Sequence, residues 1–260
     1  MNKRLMIVFI CLAVLVLIVV CGAIVFTVKH IDVLVAGDNQ NIDKAQIVTS
    51  SGIKNGISIF TLDEQVITKN IEKNVPYAKV VDVERAFPNK IRISVQYRQP
   101  LLAITLKNTN KMLIVDDEFK VLEVVDNLSN HRVLKPNGIE LEVPNLDNIC
   151  GNFINLDTDK INTLKNIIIG FNEVNLNGNK LLDFVANLHF QDDQKRLIID
   201  TKKGVKLLIR RDTNAGENMQ TIACYNKFNK LYDAERENNS YYIYVKNNGD
   251  CVYSDLVNFN

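Results

Sequence analysis

The run from Leu5 to Val28 contains no charged residue, and it constrains the chain more than any other feature. As a helix it would extend about 36 Å, enough to cross a hydrocarbon core of about 30 Å. A cleaved signal peptide would have a shorter apolar core followed by small residues, whereas this run continues through Phe26. A lipoprotein would need a small residue before the acylated cysteine, but Cys21 follows Val20. The run therefore predicts an uncleaved membrane anchor over residues 5–28.

The charges flanking this run set its expected orientation. Lys3 and Arg4 precede it, while Lys29 follows it and is offset by Asp32. Positive charge is retained on the cytoplasmic side of a membrane. The pattern predicts a single-pass type II protein, with residues 1–4 in the cytoplasm and the remainder outside.

Composition narrows the functional classes. The 260 residues include 31 basic and 30 acidic side chains, a balance without the basic excess of a nucleic-acid-binding protein. Outside the apolar run the cysteines are Cys150, Cys224 and Cys251, an odd number at no motif spacing. They do not form a disulfide framework. A Cys224–Cys251 pair and isolated buried thiols both remain open.

Residues 29–98 read as a small domain of alternating elements. His30–Val35 predicts a strand, and residues 42–51 predict a short helix that ends at Gly52. Thr61 and Glu64 form a T-x-x-E capping box, so a second helix is expected to begin at Thr61. Two alternating runs, residues 79–87 and 91–97, follow as a hairpin around a Pro-Asn turn. The order is strand, helix, helix, strand, strand.

This order, with its motifs, resembles the POTRA domain of the bacterial cell-division proteins FtsQ and DivIB. The motifs are Gly37-Asp38-Asn39, Gly52-Ile53, Ile59-Phe60, Pro76-Tyr77, Phe87-Pro88-Asn89 and Arg98-Gln99-Pro100. The chain departs from the family pattern at Asp38, which precedes the usual Asn, and at Tyr97, which replaces an acid. Among the motif residues Phe87, Pro88, Arg98 and Pro100, we expect Phe87 to cap the hairpin core and Pro88 to shape the turn.

The distal region predicts further strands and two helices. Strands are expected at 101–106, 111–116, 121–125, 184–190, 196–200, 205–210, 241–245 and 250–253, and helices at 158–171 and 217–232. Asn248-Gly249 is a strong signal for the last hairpin. This succession is similar to the β domain of FtsQ and DivIB. The expected class is α+β: a transmembrane helix, a POTRA-like domain over 29–98, a mixed β domain with a curved sheet over 99–257, and a tail at 258–260.

A membrane-anchored cell-wall hydrolase is the alternative from another class. His30, His131 and His189 lie far apart, so the chain has no zinc-binding spacing. Gly56-Ile57-Ser58-Ile59-Phe60 lacks the second glycine of a nucleophile elbow. A POTRA-containing secretion or assembly component is a further alternative, although that class carries a cleaved signal and a barrel. The residues predict neither catalysis nor a metal or cofactor.

The resemblance implies a non-enzymatic scaffold at the division septum. Its family partners are FtsB/DivIC-like and FtsL-like single-pass proteins, with septal wall synthases nearby. In the family, a partner adds a strand to the edge of the last strand of the β domain. The matching residues here are Asp250, Cys251, Val252, Tyr253, Ser254 and Leu256. We expect a proline at Val252 to remove a donor from that edge and to abolish binding of the FtsB/DivIC-like partner. The alternative is that Cys251 and Tyr253 simply pack into the sheet.

Overall fold

The computed structural model describes residues 3–37, 42–142, 146–154, 158–174 and 180–260, without the side chains of residues 3–9, 18, 19, 21 and 23. The predicted turn at Asp38 and Asn39 lies outside the described residues. The chain divides into two compact units, Met1–Arg98 and Gln99–Asn260.

Helix α1 covers Lys3–Val25 and contains most of the uncharged run. Among the described residues, no helix is both long enough and apolar enough to cross a membrane. The chain that leaves α1 is held by backbone hydrogen bonds to a loop of the first unit. Val28 N–H donates to the Ile57 carbonyl at 2.8 Å, and Ile59 N–H donates to the Phe26 carbonyl at 2.9 Å.

The first unit has the predicted order of elements. They are β1 His30–Ala36, α2 Lys44–Ser51, α3 Glu64–Asn74, β2 Ala78–Ala86 and β3 Lys90–Tyr97. The strand order is β1-β3-β2, with β1 parallel to β3 and β2 antiparallel to it. Helices α2 and α3 carry the chain from β1 past β3 to β2, and a tight turn then joins β2 to β3, so β3 runs parallel to β1. Their buried Ile47, Ile67 and Ile71 pack in one core with Ile91, Ile93 and other sheet residues.

Helix α3 begins later than the sequence predicts. The N-cap is Asp63, whose carboxylate accepts hydrogen bonds from the backbone N–H groups of Gln65 and Val66. Thr61 instead ends a 3-10 turn over Ile59–Thr61, so the predicted T-x-x-E capping box at Thr61 is wrong. Asp competes well with Thr as an N-cap, and here it lies next to the first helical residue. The stop at Gly52 is confirmed, with a left-handed φ of 71°.

A buried ion pair closes the first unit. Arg98 Nη2 lies 3.1 Å from Glu72 Oε2, and the two side chains are only 3% and 14% exposed. The other oxygen of Glu72 accepts the Val80 N–H at 3.0 Å, and Arg98 N–H donates to the Tyr77 carbonyl. Glu72 of α3 thereby joins the start of β2 to the residue that follows β3.

The second unit contains the remaining elements. They are β4 Leu102–Leu106, β5 Met112–Val115, β6 Val121–Val125, β7 Glu140–Leu141, α4 Asp159–Val174, α5 Leu181–Phe184, β8 Val185–Gln191, β9 Arg196–Thr201, β10 Lys206–Arg210, α6 Glu217–Asn229, α7 Asp233–Arg236, β11 Tyr242–Val245 and β12 Cys251–Ser254. The α+β class is confirmed. Strand β7 and helices α5 and α7 are additions to the predicted set, and each is no longer than one turn or two residue pairs.

Two sheets form in the second unit, with strand orders β6-β5-β4-β7 and β12-β11-β10-β9-β8. The chain from Leu134 to Asn137 joins them. Leu134 exchanges hydrogen bonds with β4 and its entry, through the Ala103 N–H and the Leu101 carbonyl. Asn137 does the same with β8, donating to the Leu188 carbonyl and accepting the Phe190 N–H. One hydrogen-bonded ladder thus runs from β6 to β12.

Helices α4 and α6 pack in the same core as this ladder, and the two helices cross each other at a very short distance. Ile161, Leu164, Ile168 and Phe171 lie on the buried face of α4, as its spacing predicts. A Cβ on Gly170 would lie 2.6 Å from the Asn218 carbonyl oxygen of α6. That separation is shorter than any allowed contact, so a glycine is needed where the two helices cross.

Replacing Arg98 with alanine should leave the Glu72 carboxylate buried without its cation. Because breaking a buried pair costs about 3 kcal/mol, the free energy of unfolding of the first unit should fall by about that amount. The full chain is unfolded with a chemical denaturant, and amide hydrogen exchange in residues 42–98 reports the unfolding of the first unit. Arg92→Ala, which breaks a solvent-exposed pair with Glu84 on the same sheet, is the control and should have little effect. Equal losses for both variants would contradict a special role for the buried pair.

Gly170→Ala should destabilise the second unit. At an unobstructed helix position this change stabilises by roughly 0.5–1 kcal/mol, so the sign of the effect is diagnostic. Thermal unfolding of the variant should occur at a lower temperature, because α4 and α6 must separate. Asn172→Ala, on the exposed face of the same helix, should leave the melting temperature unchanged or raise it. A higher melting temperature for Gly170→Ala would show that the two helices can part without cost.

Candidate functional site

The last hairpin places β12 at one end of the five-stranded sheet. Lys246 N–H donates to the Asp250 carbonyl at 2.9 Å, and Gly249 N–H donates to the Lys246 carbonyl at 3.0 Å. Gly249 has a φ of +90°, which an L side chain rarely adopts. The predicted Asn-Gly turn is confirmed. Within the described residues, β12 hydrogen-bonds to β11 and to no other strand.

The register shows which backbone groups of β12 face outward. Tyr244 pairs with Val252, and Tyr242 pairs with Ser254. Hydrogen-bonded and non-hydrogen-bonded pairs alternate in an antiparallel ladder, and the Lys246–Asp250 pair is hydrogen-bonded. The N–H and C=O groups of Val252 and Ser254 therefore point toward β11, whereas those of the alternate residues point to the free edge.

The outward groups belong to Cys251 and Tyr253. The parallel neighbour on the other side of β11 supports this assignment, because Lys206 N–H donates to the Tyr241 carbonyl. Odd-numbered residues of β11 thus face β10, and its even-numbered residues face β12. A proline at Val252 would therefore remove a donor from inside the sheet, and the expectation that it removes one from the free edge is wrong. The donors at the free edge belong to the residues on either side of Val252.

The opposite edge of the same sheet is already covered. Asn137 forms a parallel bridge with His189 of β8, and its backbone bonds to Leu188 and Phe190 on either side of it. Both ring nitrogens of His189 also have partners, Asn137 Nδ2 at 3.0 Å and Asp200 Oδ2 at 2.9 Å. Of the two edges, β12 is the one left for another strand.

The side chains of Cys251 and Tyr253 pack, partly buried, against the core. The Tyr253 ring stacks on Tyr241 with centroids 4.5 Å apart, and its hydroxyl donates to the Glu235 carbonyl. Cys224 and Cys251 are free thiols in contact. The hydrogen bond with Cys251, together with burial, raises the pKa of the Cys224 thiol, and the same hydrogen bond lowers the pKa of the Cys251 thiol.

The other expected edge residues have local roles. Asp250 accepts a hydrogen bond from the Asn248 amide at 2.8 Å in the turn, and Ser254 Oγ accepts the Leu256 N–H at 3.1 Å. Leu256 is 73% exposed. Its carbonyl accepts the Tyr244 hydroxyl hydrogen, so the chain after β12 turns back over the sheet.

The C-terminal residues clasp the outer face of the sheet. The Phe259 ring packs edge-on against Tyr244, with centroids 5.3 Å apart. The guanidinium groups of Arg196 and Arg210 lie 4.8 and 4.2 Å from its centroid. Asn247 N–H donates to the Phe259 carbonyl at 2.9 Å. Sequence patterns do not show this clasp, because it joins single residues from four separate segments.

Several charged side chains of the second unit form ion pairs with one another. Lys160 Nζ lies 2.6 Å from Asp192 Oδ2, and this hydrogen bond holds the pKa of the Asp192 carboxyl below its usual value. Arg211 contacts both Asp192 and Asp159. Among the described residues, no three His, Cys, Asp or Glu side chains are placed to hold a metal ion.

In the first unit, Phe87 does not cap the hairpin core. Its side chain is 58% exposed and contacts the rings of Phe26 and Phe60, with centroids 6.1 and 5.5 Å away. The β2–β3 turn carries the ring past the end of the sheet, so the expectation for Phe87 is wrong. Pro88 follows a cis peptide bond in that turn. Pro100 lies, half-buried, before β4 in the second unit.

Parts of the chain are similar in sequence to known proteins. Residues 26–98 match the family described as POTRA domain, FtsQ-type. Residues 26–98 form an FtsQ-type POTRA domain. A cell division protein DivIB from Clostridium tetani is 36% identical over 115 residues, which are 44% of this chain and 41% of that protein. A second DivIB, from Clostridium botulinum, is 31% identical over 139 residues, 53% of this chain and 52% of that protein. The resemblance to the FtsQ/DivIB family is confirmed.

The matches cover about half or less of each DivIB relative. Within the POTRA domain, Phe87 and Pro88 lie in the hairpin turn. Arg98 is the last residue of the domain and forms an ion pair with Glu72. The partner Glu72 has no distinctive sequence signal. It is one of several polar residues on α3, and its burial follows only from the packing of α3 against β2.

Phe259→Ala should release the clasp on the outer face of the sheet. The loss of two cation–π contacts and one ring contact should lower the free energy of unfolding by roughly 1–3 kcal/mol. Exchange of the Asn247 amide hydrogen, which is bonded to the Phe259 carbonyl, should become faster. Leu256→Ala removes a side chain that is mostly in solvent and should leave this exchange rate unchanged. Slow exchange in Phe259→Ala would mean that the ring does not hold the chain end.

Proposed function

We propose that the chain is a non-enzymatic, bitopic membrane scaffold of the bacterial division machinery. Residues 5–28 anchor it in the cytoplasmic membrane with the N-terminus inside, and the POTRA domain and distal unit lie outside, at the division septum. The absence of charge in this run and the helical conformation of its residues up to Val25 support the anchor. Similarity to two proteins named cell division protein DivIB supports a role in cell division.

The edge of β12 is the observation that carries the scaffold function. Each outward residue, Cys251 and Tyr253, offers one N–H and one C=O to a docking strand. Such pairing supplies affinity through the backbone and specificity through alternate side chains. The partners we propose are an FtsB/DivIC-like single-pass protein at this edge, with an FtsL-like protein and septal wall synthases in the same assembly. No nucleic acid is expected among them.

The side chains around the edge limit what the docking strand can present. On one face the stacked rings of Tyr241 and Tyr253 offer an aromatic surface. Val252 lies on the other face and is partly buried, and Leu256, two residues after β12, is exposed. A strand with apolar residues on both faces near its centre fits this surface better than a charged one, because burying an unpaired charge is costly.

Cys251→Pro should weaken binding of the FtsB/DivIC-like partner about tenfold or more, because it removes one donor and places a ring against the docking strand. The N–H it removes is not used inside the sheet, so the variant should stay folded. Binding of the purified full chain to the partner's extracytoplasmic segment, measured by titration, gives the ratio.

Cys251→Ala is the matched control, since it removes the thiol and keeps the N–H, and it should bind like the unaltered chain. Val252→Pro is a second control that should lower the melting temperature, because its N–H faces β11. Tyr253→Pro, compared with Tyr253→Ala, repeats the test at the other outward residue. Undiminished binding by folded proline variants at both positions would overturn the edge assignment.

A further inference from the structure

Three phenylalanine rings form an exposed cluster at one end of the POTRA domain. Phe26, Phe60 and Phe87 come from three separate segments, and their ring centroids lie 5.3 to 6.1 Å apart. Phe60 and Phe87 are 61% and 58% exposed. Leaving such rings in water costs roughly 1.5–3 kcal/mol each relative to burial, so this cluster, here called the Phe triad, calls for an occupant.

The fold holds the triad in place. Next to Phe60 in the chain, Ile59 is fully buried and anchors the 3-10 turn. The Arg85 guanidinium donates to the carbonyls of Ile59 and Leu62, at 3.1 and 2.7 Å, on either side of the exposed ring. Phe60 is therefore presented outward by a fixed turn, and its exposure is not the result of a loose loop.

The triad is continuous with helix α1. Phe26 follows the last residue of α1, and its N–H donates to the Gly22 carbonyl at 3.0 Å as in a further helical turn. Its carbonyl accepts the Ile59 N–H, so the end of α1 and the turn that carries Phe60 are bonded directly. At the end of α1, Ile24 and Val25 are also exposed. Exposed apolar residues thus lie on both sides of the junction between the helix and the domain.

Polar neighbours of the triad fit a lipid headgroup region. Lys29 and Lys54 are exposed on the two segments that pair beside Phe26. The sequence from 53 to 60 contains no acidic residue. Aromatic rings and lysines with apolar stems are the side chains found where a protein meets the membrane–water interface.

We infer that the Phe triad inserts into the outer leaflet of the membrane at headgroup level and seats the POTRA domain on the lipid surface. The inference rests on the proposed anchor, because α1 brings the triad to that depth. Backbone bonds at the junction then give the domain a fixed position on the membrane. A protein partner on the triad is the competing occupant, and the experiment below separates the two.

The chain contains no tryptophan, so a single substitution provides a unique fluorescent probe. Full-length variants Phe87→Trp and Phe60→Trp are reconstituted in phosphatidylcholine–phosphatidylglycerol vesicles. The lipids carry bromine, a fluorescence quencher, either near the headgroup or deep in the acyl chain. We expect the fluorescence of both probes to be quenched mainly by the bromine near the headgroup. Their emission maxima should lie at shorter wavelength than those of the same variants unfolded in water.

Two controls make the result decisive. Leu15→Trp, in the middle of α1, should be quenched mainly by the deep bromine, which tests the anchor itself. Tyr77→Trp lies at the other end of β2, roughly 30 Å from Phe87 along the strand, and should be quenched by neither lipid. If Leu15→Trp is quenched while Phe60→Trp and Phe87→Trp are not, the anchor stands and the inference is wrong. If Leu15→Trp is unquenched, the anchor and the inference fail together. Quenching of Tyr77→Trp equal to that of the triad would also overturn the inference.

Discussion

Parallel strand pairing is the constraint on which most of this structure depends. Two parallel neighbours cannot be joined by a tight turn, so the chain must cross one face of the sheet between them. Between β10 and β11 that crossing is α6, which covers the inner face with Cys224, Tyr225 and Phe228. Between β1 and β3 the connection is α2 and α3, which cross to β2 on the far side of β3, followed by β2 itself. Each crossing buries one face of its sheet and decides which strand is left at the end.

In the distal unit the crossing makes β12 terminal. After α6 returns the chain to β11, only a short antiparallel hairpin remains, and its second strand has no further neighbour in the described chain. Both faces of that hairpin are occupied, one by core packing of Tyr253 and the other by the Phe259 clasp. The unmet requirement is then confined to backbone groups of one strand. Such a site is selective for extended chain, since only a strand satisfies alternate donors and acceptors at this spacing.

Much of this fold could be predicted from local patterns. The β2–β3 and β11–β12 hairpins carry alternating side chains and turn residues, and α4 shows its buried face at helical spacing. Features that depend on tertiary contacts could not. The choice of Asp63 over Thr61 as N-cap depends on where the preceding turn is held, and the exposure of Phe87 depends on where the sheet ends.

For the candidate site, the sequence predicts which residues form the last strand, but not which of their backbone groups point to the free edge. Residues 250–254 and 256 are the last hairpin's outer strand and its exit, as expected. Which of them point outward depends on the pairing of Lys246 with Asp250 across the Gly249 turn, and a shift by one residue would exchange every inward and outward group. Sequence alone does not specify that register, because Asn-Gly is compatible with turns of more than one length.

The shortness of β12 has a consequence for the lifetime of any complex formed there. Two outward residues offer about four backbone hydrogen bonds, each worth roughly 1 kcal/mol net. Before the entropic cost of association is subtracted, that sum corresponds to a dissociation constant of about 1 mM, so backbone pairing alone binds more weakly than this. Side chains must supply the remaining affinity, or a second tether must hold the partner nearby. Under the proposed anchor, a shared membrane is such a tether, because confinement raises the local concentration of the two chains. The edge is thus suited to rapid exchange, in which a complex forms where its components are concentrated and dissolves when they disperse.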